Sequence, residues 1–260
     1  MKSIFISGSG QCGESFVCNI LKNNDKISAF DETKKLSNSF YKFSKYNQLP
    51  IDEGPFFDRY KNDIIKENKK KKIRLESSSY LSFHLGSFYE KYNSKLIILM
   101  RNPYDVAIDL EKKGWYKKKY YKENANKIIG YQGISNNLHE NHHNFSRICP
   151  KGKYFYEWNK LDPLLKIKWF WNETYRLIFK DLKKVPKKNY KIIKIEEFDY
   201  SMYLELCRWL LIRPNLSELI FNFKSKIIRK MKSKKNLRKK NLFKSYKSNI
   251  EQKFYYENNK

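Results

Sequence analysis

The sequence predicts an α/β fold, a doubly wound parallel sheet flanked by helices, with long inserted loops and a basic C-terminal helical tail. Three observations carry this. The run KLIILM from Lys95 to Met100 is continuously apolar after its lysine, as in strands buried on both faces of a parallel sheet. The opening strand pattern Lys2 to Ser7 passes through a glycine-rich turn into an apolar-faced helix pattern. Further strand patterns alternate with helix patterns along the chain.

Helix is expected from Glu14 to Asn23, with Phe16, Val17, Ile20 and Leu21 on one face. Ser28 to Lys72 is polar and aromatic-rich, contains Pro50 and Pro55, ends in the lysine run 69 to 72, and reads as loops and short helices. Ile73 to Glu76 is a short strand pattern, followed by helix from about Tyr80 to Tyr92. After the 95–100 strand, Pro103 opens a helix that runs to about Lys113. Gly114 to Lys160 is rich in Asn, Gly, His and Tyr and reads as an inserted loop region. Leu161 to Leu182 is helical, Tyr190 to Ile195 is a strand, and Tyr200 to Leu211 is a helix. Trp169 and Trp171 are expected in the core. The domain reading is one α/β domain over residues 1–223 and a basic tail over 224–260.

The formal net charge is +28 over 260 residues, and only nine of the 55 basic residues are arginine. Lysine, asparagine, isoleucine and tyrosine are abundant together, a composition that an AT-rich coding sequence produces without selection for a polyanionic partner. The tail differs, since between Lys224 and Lys244 eleven of 21 residues are Lys or Arg and none is acidic. Interspersed apolar residues make that segment either an amphipathic helix for an anionic surface or a solvated tail. No helix-turn-helix or aromatic-bearing sheet motif points to nucleic acid.

Cys12, Cys18, Cys149 and Cys207 form no close pair of the CxxC kind, which argues against a zinc site or a disulfide framework and fits a reducing compartment. No apolar run approaches eighteen residues and none forms a signal-peptide core, so a cytoplasmic protein is expected. His84 stands alone, and the cluster of His139, His142 and His143 lacks partners with metal-ligand spacing, so no metal is expected.

The chemistry starts at GSGQCGES, Gly8 to Ser15. Its glycine spacing is that of a phosphate-binding loop between a strand and a helix N-terminus, where backbone amides and the helix dipole hold an anion. Glu14 stands where a nucleotide triphosphatase has its lysine. At about 4 Å and an effective dielectric near 20, that acid would repel a phosphate by about 4 kcal/mol, which excludes ATP or GTP hydrolysis. An acid in a first helical turn is favoured when it points outward, and outward is the expectation for Glu14. The second motif is IILMRNPYDVAID, Ile97 to Asp109, which puts Arg101 at the carboxyl end of a sheet strand, where open α/β sheets bind ligands.

With these two motifs the chain resembles the sulfotransferases that use 3′-phosphoadenosine 5′-phosphosulfate, which have a P-loop-like fold. In that family a loop of the form Arg or Lys, Ser, Gly, Thr, Ser or Thr follows strand one, and here it reads Gln11, Cys12, Gly13, Glu14, Ser15. The second signature is a strand-ending arginine, then Asn or Asp, Pro, and a serine eight residues after the arginine; here these are Arg101, Asn102, Pro103 and Asp109. Glu76 in RLESSSYL matches a glutamate that many members carry, and IIKIEEF, Ile192 to Phe198, looks like a late strand and acidic turn of the family.

The resemblance implies that Gln11 to Ser15 wrap the 5′-phosphosulfate and that Arg101, with Asp109 in the serine position, meets the 3′-phosphate. It implies Glu76 as the base for an acceptor hydroxyl, on a saccharide or a small metabolite, and no metal. Gln11 replaces the cation that serves the leaving phosphate oxygen, Glu14 replaces a threonine, and Asp109 replaces a serine. These departures leave open a catalytically degenerate member that only binds an anionic nucleotide. The third alternative is a basic protein that binds nucleic acid or membrane surfaces through the tail. Arg147 or Lys151, from the insertion, could supply the missing cation.

Overall fold

The computed structural model describes residues 2–116, 145–222 and 243. Five strands form one sheet: β1 (Ser3–Ser7), β2 (Ile27–Asp31), β3 (Ile73–Ser77), β4 (Lys95–Met100) and β5 (Tyr190–Lys194). Their order is β2-β3-β1-β4-β5, and every pairing is parallel. Helices α1 (Glu14–Lys22), α2 (Lys35–Asn47), α3 (Gly54–Lys69), α4 (Leu85–Tyr92), α5 (Pro103–Lys112), α6 (Tyr154–Lys160), α7 (Pro163–Leu182) and α8 (Tyr200–Leu210) connect and flank the strands.

The centre of the sheet follows from its composition. β1 and β4 are neighbours, and Phe5, Ile6 and Leu96 to Met100 are fully buried. Phe5 stacks on Phe88 of α4 with ring centroids 4.0 Å apart. α7 lies over this centre with Phe170, Trp171, Tyr175 and Ile178 all at 0% exposure, and the buried apolar side chains form one continuous cluster. Trp171 is core as expected; Trp169 is only partly buried and packs at the edge of the cluster.

The stretch from Ser28 to Lys72 is a correction: it holds most of edge strand β2 and two long helices rather than loops and short helices. Pro55 sits in the first turn of α3, where its missing N–H has no helical partner to lose, so it starts the helix instead of breaking one. Phe56, Phe57, Tyr60 and Ile64 then form the buried face. α2 carries little apolar signal because its buried positions include Asn38, Ser39, Lys42 and Ser44. The expected helix from Tyr80 divides into a single 3-10 turn at Ser79–Leu81 and α4. The inserted region contains α6 near its end. The basic tail, apart from Phe243, and His139, His142 and His143 lie outside the described residues. Among the described residues, no helix is long and apolar enough to cross a membrane.

Candidate functional site

The parallel order places the turn after β1 beside the end of β4, at the carboxyl edge where the chain's connections diverge to opposite sides of the sheet. The turn needs its glycines. A Cβ on Gly8 would lie 2.5 Å from the Leu99 carbonyl oxygen, and one on Gly13 would lie 2.7 Å from Ile195 Cγ1 at a φ of 92°. Gly10 and Gln11 are also left-handed, with φ of 91° and 57°. The sequence of turns folds the loop inward over its own amides.

Those amides are held by Glu14. The Gly10 N–H donates to Glu14 Oε1 at 3.0 Å and the Cys12 N–H donates to Oε2 at 2.8 Å. The Glu14 side chain is buried, not turned outward as the sequence suggested. The reason is local: buried backbone N–H groups require acceptors, and a carboxylate at the first residue of α1 reaches both while lying at the positive end of the helix. Burial raises its pKa, and the hydrogen bonds from the backbone oppose that rise.

Arg101 Nη1 donates to the Gln11 carbonyl oxygen at 2.9 Å and to Asp109 Oδ2 at 2.8 Å. The arginine thus ties the end of β4 to the loop, and Asp109, two turns into α5, is its counter-ion. Asn102 caps α5 by accepting the Tyr104 N–H, and its own N–H donates to Glu196 Oε1 in the acidic turn after β5. Gln11, Cys12, Glu14, Arg101 and Asp109 are therefore brought together. Ser15, by contrast, is exposed on α1. Burial pushes the Cys12 thiol up to about 12, which keeps it protonated at neutral pH.

Glu76 lies in a separate hydrogen-bonded cluster at the end of β3. Its carboxylate accepts from Arg74 Nη2 at 2.6 Å and from the Thr33 hydroxyl at 3.1 Å, and Arg74 also reaches Asp63 at 3.4 Å. The side chain is fully buried, and desolvation raises its pKa to about 7 against the pull of Arg74 and Thr33.

Two further residues, one touching the loop and one beside it, have no signal in the sequence. Tyr175 of α7 donates its hydroxyl to Leu99 O at 2.6 Å, accepts the Ser9 N–H at 3.4 Å and lies 3.2 Å from Cys12 Sγ. Lys42 of α2 is 1% exposed, and its ammonium donates to the Ser79 carbonyl at 3.1 Å. Its helical position resembles many solvated lysines elsewhere, so only the fold marks it.

The Arg147 guanidinium lies 5.6 Å from the centre of the Trp115 ring. Lys151 donates to the Tyr46 carbonyl and, with Trp169, lines a cavity of about 1090 Å³ between α2, α6 and α7. No residue from Gly8 to Ser15, nor Arg101, Asp109 or Glu76, lines that cavity. His84 is buried against Phe56 with Nε2 3.3 Å from Glu53. No group of three or more His, Cys, Asp or Glu that could hold a metal occurs among the described residues.

No protein-family model matches the chain, and no curated protein does. Solved structures do. The sulfotransferase domain from the curacin biosynthetic pathway is similar with a TM-score of 0.52 and 15% identity, covering 83% of this chain and 75% of that one. The sulfotransferase domain of the Synechococcus PCC 7002 olefin synthase gives 0.48 and 10%, covering 95% and 94%. A sulfotransferase from Alicyclobacillus acidocaldarius gives 0.47 and 14%, covering 94% and 95%. With its parallel five-stranded sheet, glycine loop after β1 and strand-ending arginine, this chain has the fold of the sulfotransferases.

Proposed function

We propose that the protein is a sulfotransferase that uses 3′-phosphoadenosine 5′-phosphosulfate and a hydroxyl acceptor, a saccharide or a small metabolite. One observation carries the reading: the Gly10 and Cys12 amides converge on an anion, the Glu14 carboxylate, next to a strand-ending arginine. A loop built this way suits phosphate oxygens without a metal.

The donor supplies an activated sulfuryl group on a phosphate leaving group. In this reading the loop amides from Gln11 to Ser15 hold the 5′ end, and Arg101 grips the 3′-phosphate with its planar fork of donors. Gln11 gives a neutral hydrogen bond where an ionised donor would give one about twice as strong. Glu76 is the base. A carboxyl raised to about 7 takes up a proton readily near neutral pH, and the Thr33 hydroxyl on Oε1 marks the donor geometry an acceptor hydroxyl would adopt after Thr33 moves aside. Transfer then forms an S–O bond to the acceptor oxygen and breaks the S–O bond to the leaving phosphate, while the acceptor proton passes to Glu76. The protein's contribution is positioning and fixed dipoles.

Calorimetry with 3′-phosphoadenosine 5′-phosphate at micromolar protein and low salt tests the reading; absence of binding rejects it. A second reading, a nucleotide-binding member without turnover, draws on Glu14 and Asp109 already occupying the loop amides and Arg101. It predicts nucleotide binding with no labelled sulfate reaching any acceptor. For residues 224–244 we retain contact with an anionic surface as a proposal; unchanged retention on anionic vesicles after their deletion removes it.

A further inference from the structure

The loop after β1 already contains an anion. Both Glu14 oxygens are engaged, one by each of two loop amides, and the side chain is 7% exposed. A carboxylate held in this way has the charge and the oxygen spacing of one edge of a phosphate group.

A buried cation stands on the flank of the same loop. Ser79 lies against Gly10, its Oγ 3.5 Å and its Cβ 3.6 Å from the place a Cβ on Gly10 would take. The Ser79 carbonyl accepts the only hydrogen bond that Lys42 donates among the described residues. The ammonium otherwise meets the rings of Phe83 and Phe170, at 4.8 and 5.4 Å, and makes no ion pair among the described residues. Burial lowers the Lys42 pKa to about 7; the charges that oppose this are Glu14 and Glu32. A desolvated ammonium is retained where nearby anions compensate it, and Glu14 in the loop, followed by Glu32, supplies that compensation.

We propose that Glu14 is an internal stand-in for a phosphate of the ligand, and that Lys42 is the loop's cation in place of the one absent at Gln11. An incoming phosphate displaces the carboxylate from Gly10 and Cys12 and takes up the same field. Lys42 acts through space and through Ser79, so it is a positioning residue. This deepens the anion-site reading above and rests on it.

The test titrates pyrophosphate, and separately 3′-phosphoadenosine 5′-phosphate, into ¹⁵N-labelled full-length protein, reading dissociation constants by calorimetry and the Gly10 and Cys12 amide resonances by NMR. Glu14→Ala is expected to bind pyrophosphate at least tenfold more tightly than the native chain, with those two amides shifting. Adding Lys42→Met is expected to abolish the gain while thermal melting stays a single transition. Where Glu14→Ala does not fold, Glu14→Gln removes the charge at nearly constant shape and is expected to tighten binding at least threefold. Unchanged or weaker pyrophosphate binding in the Glu14 variants, or shifts confined to other amides, overturns the stand-in; a gain that survives Lys42→Met overturns the role of Lys42. If pyrophosphate binds as expected and the nucleotide does not, the stand-in holds and the donor assignment fails.

Discussion

Replacing Glu76 by glutamine should change how stability depends on pH. In the folded protein desolvation raises the Glu76 pKa from 4.5 to about 7, although Arg74 and Thr33 stabilise the carboxylate. Between those values the folded chain keeps a proton that the unfolded chain has released. The resulting stability is fully present below about pH 4.5 and is lost as pH rises through about 7. Each unit of separation corresponds to about 1.4 kcal/mol, so the whole effect is on the order of 3 kcal/mol, most of it falling between about pH 5 and 8. The glutamine side chain cannot titrate. It leaves Arg74 with only Asp63 as an acid partner among the described residues, so the variant starts from a lower stability, but that offset does not depend on pH in this range. Urea unfolding at several pH values should therefore show wild type losing about 2 kcal/mol or more relative to Glu76→Gln from about pH 5 to 8. Parallel curves, or a wild type that gains as pH rises, would mean that the Arg74 ion pair outweighs desolvation and that Glu76 is no base near neutral pH.

Other perturbations address the loop directly. Gly8→Ala drives a methyl group to 2.5 Å from a β4 carbonyl and should cost about 2–3 kcal/mol in urea unfolding, as overpacking against backbone does; a loss below about 0.5 kcal/mol would show that the close approach is relieved at little cost. Tyr175→Phe removes the hydroxyl that bridges Leu99 and Ser9 and should destabilise by about 1 kcal/mol, with faster hydrogen exchange at the Ser9 amide as the accompanying readout. Arg101→Ala should weaken 3′-phosphoadenosine 5′-phosphate binding by about 1.5–3 kcal/mol, and an unchanged dissociation constant rejects its role. Asp109→Ser removes the carboxylate on Arg101 Nη1 and should tighten the same nucleotide by about 0.5–1 kcal/mol, the scale of a partly exposed ion pair.

The features that were legible in the sequence are those with a strong local cause. KLIILM has the length and apolar continuity of a strand buried in a parallel sheet, and the glycines at 8, 10 and 13 mark the tight turn between that sheet's first strand and a helix. Arg101 was located because a strand must end where its apolar run ends. α2 was not legible because its inward face is polar, with Asn38, Ser39 and Ser44 beside Lys42, and hydrophobic periodicity has nothing to register there. The inward orientation of Glu14 is not legible for a different reason. Its first-turn position allows the side chain to point either way, and the choice is made by the Gly10 and Cys12 amides, whose need for an acceptor appears only once the loop has closed.

The two acids that depart most from a phosphate site are thus both matched inside the fold, Asp109 by Arg101 and Glu14 by two amides with Lys42 nearby. Their effect on an incoming phosphate is then competition rather than bare repulsion, and competition has a calculable size. A ligand that binds only the open loop sees its affinity reduced by the open fraction. If the Glu14 carboxylate holds its amides by about 2.7 kcal/mol, the loop is open about 1% of the time and apparent affinity falls about a hundredfold. Uncompensated repulsion of about 4 kcal/mol would cost nearer a thousandfold. The factor gained in Glu14→Ala therefore measures which of the two descriptions applies, because removing a competitor restores only the closed fraction, whereas removing a fixed charge restores the full Coulomb term and leaves a salt dependence to match.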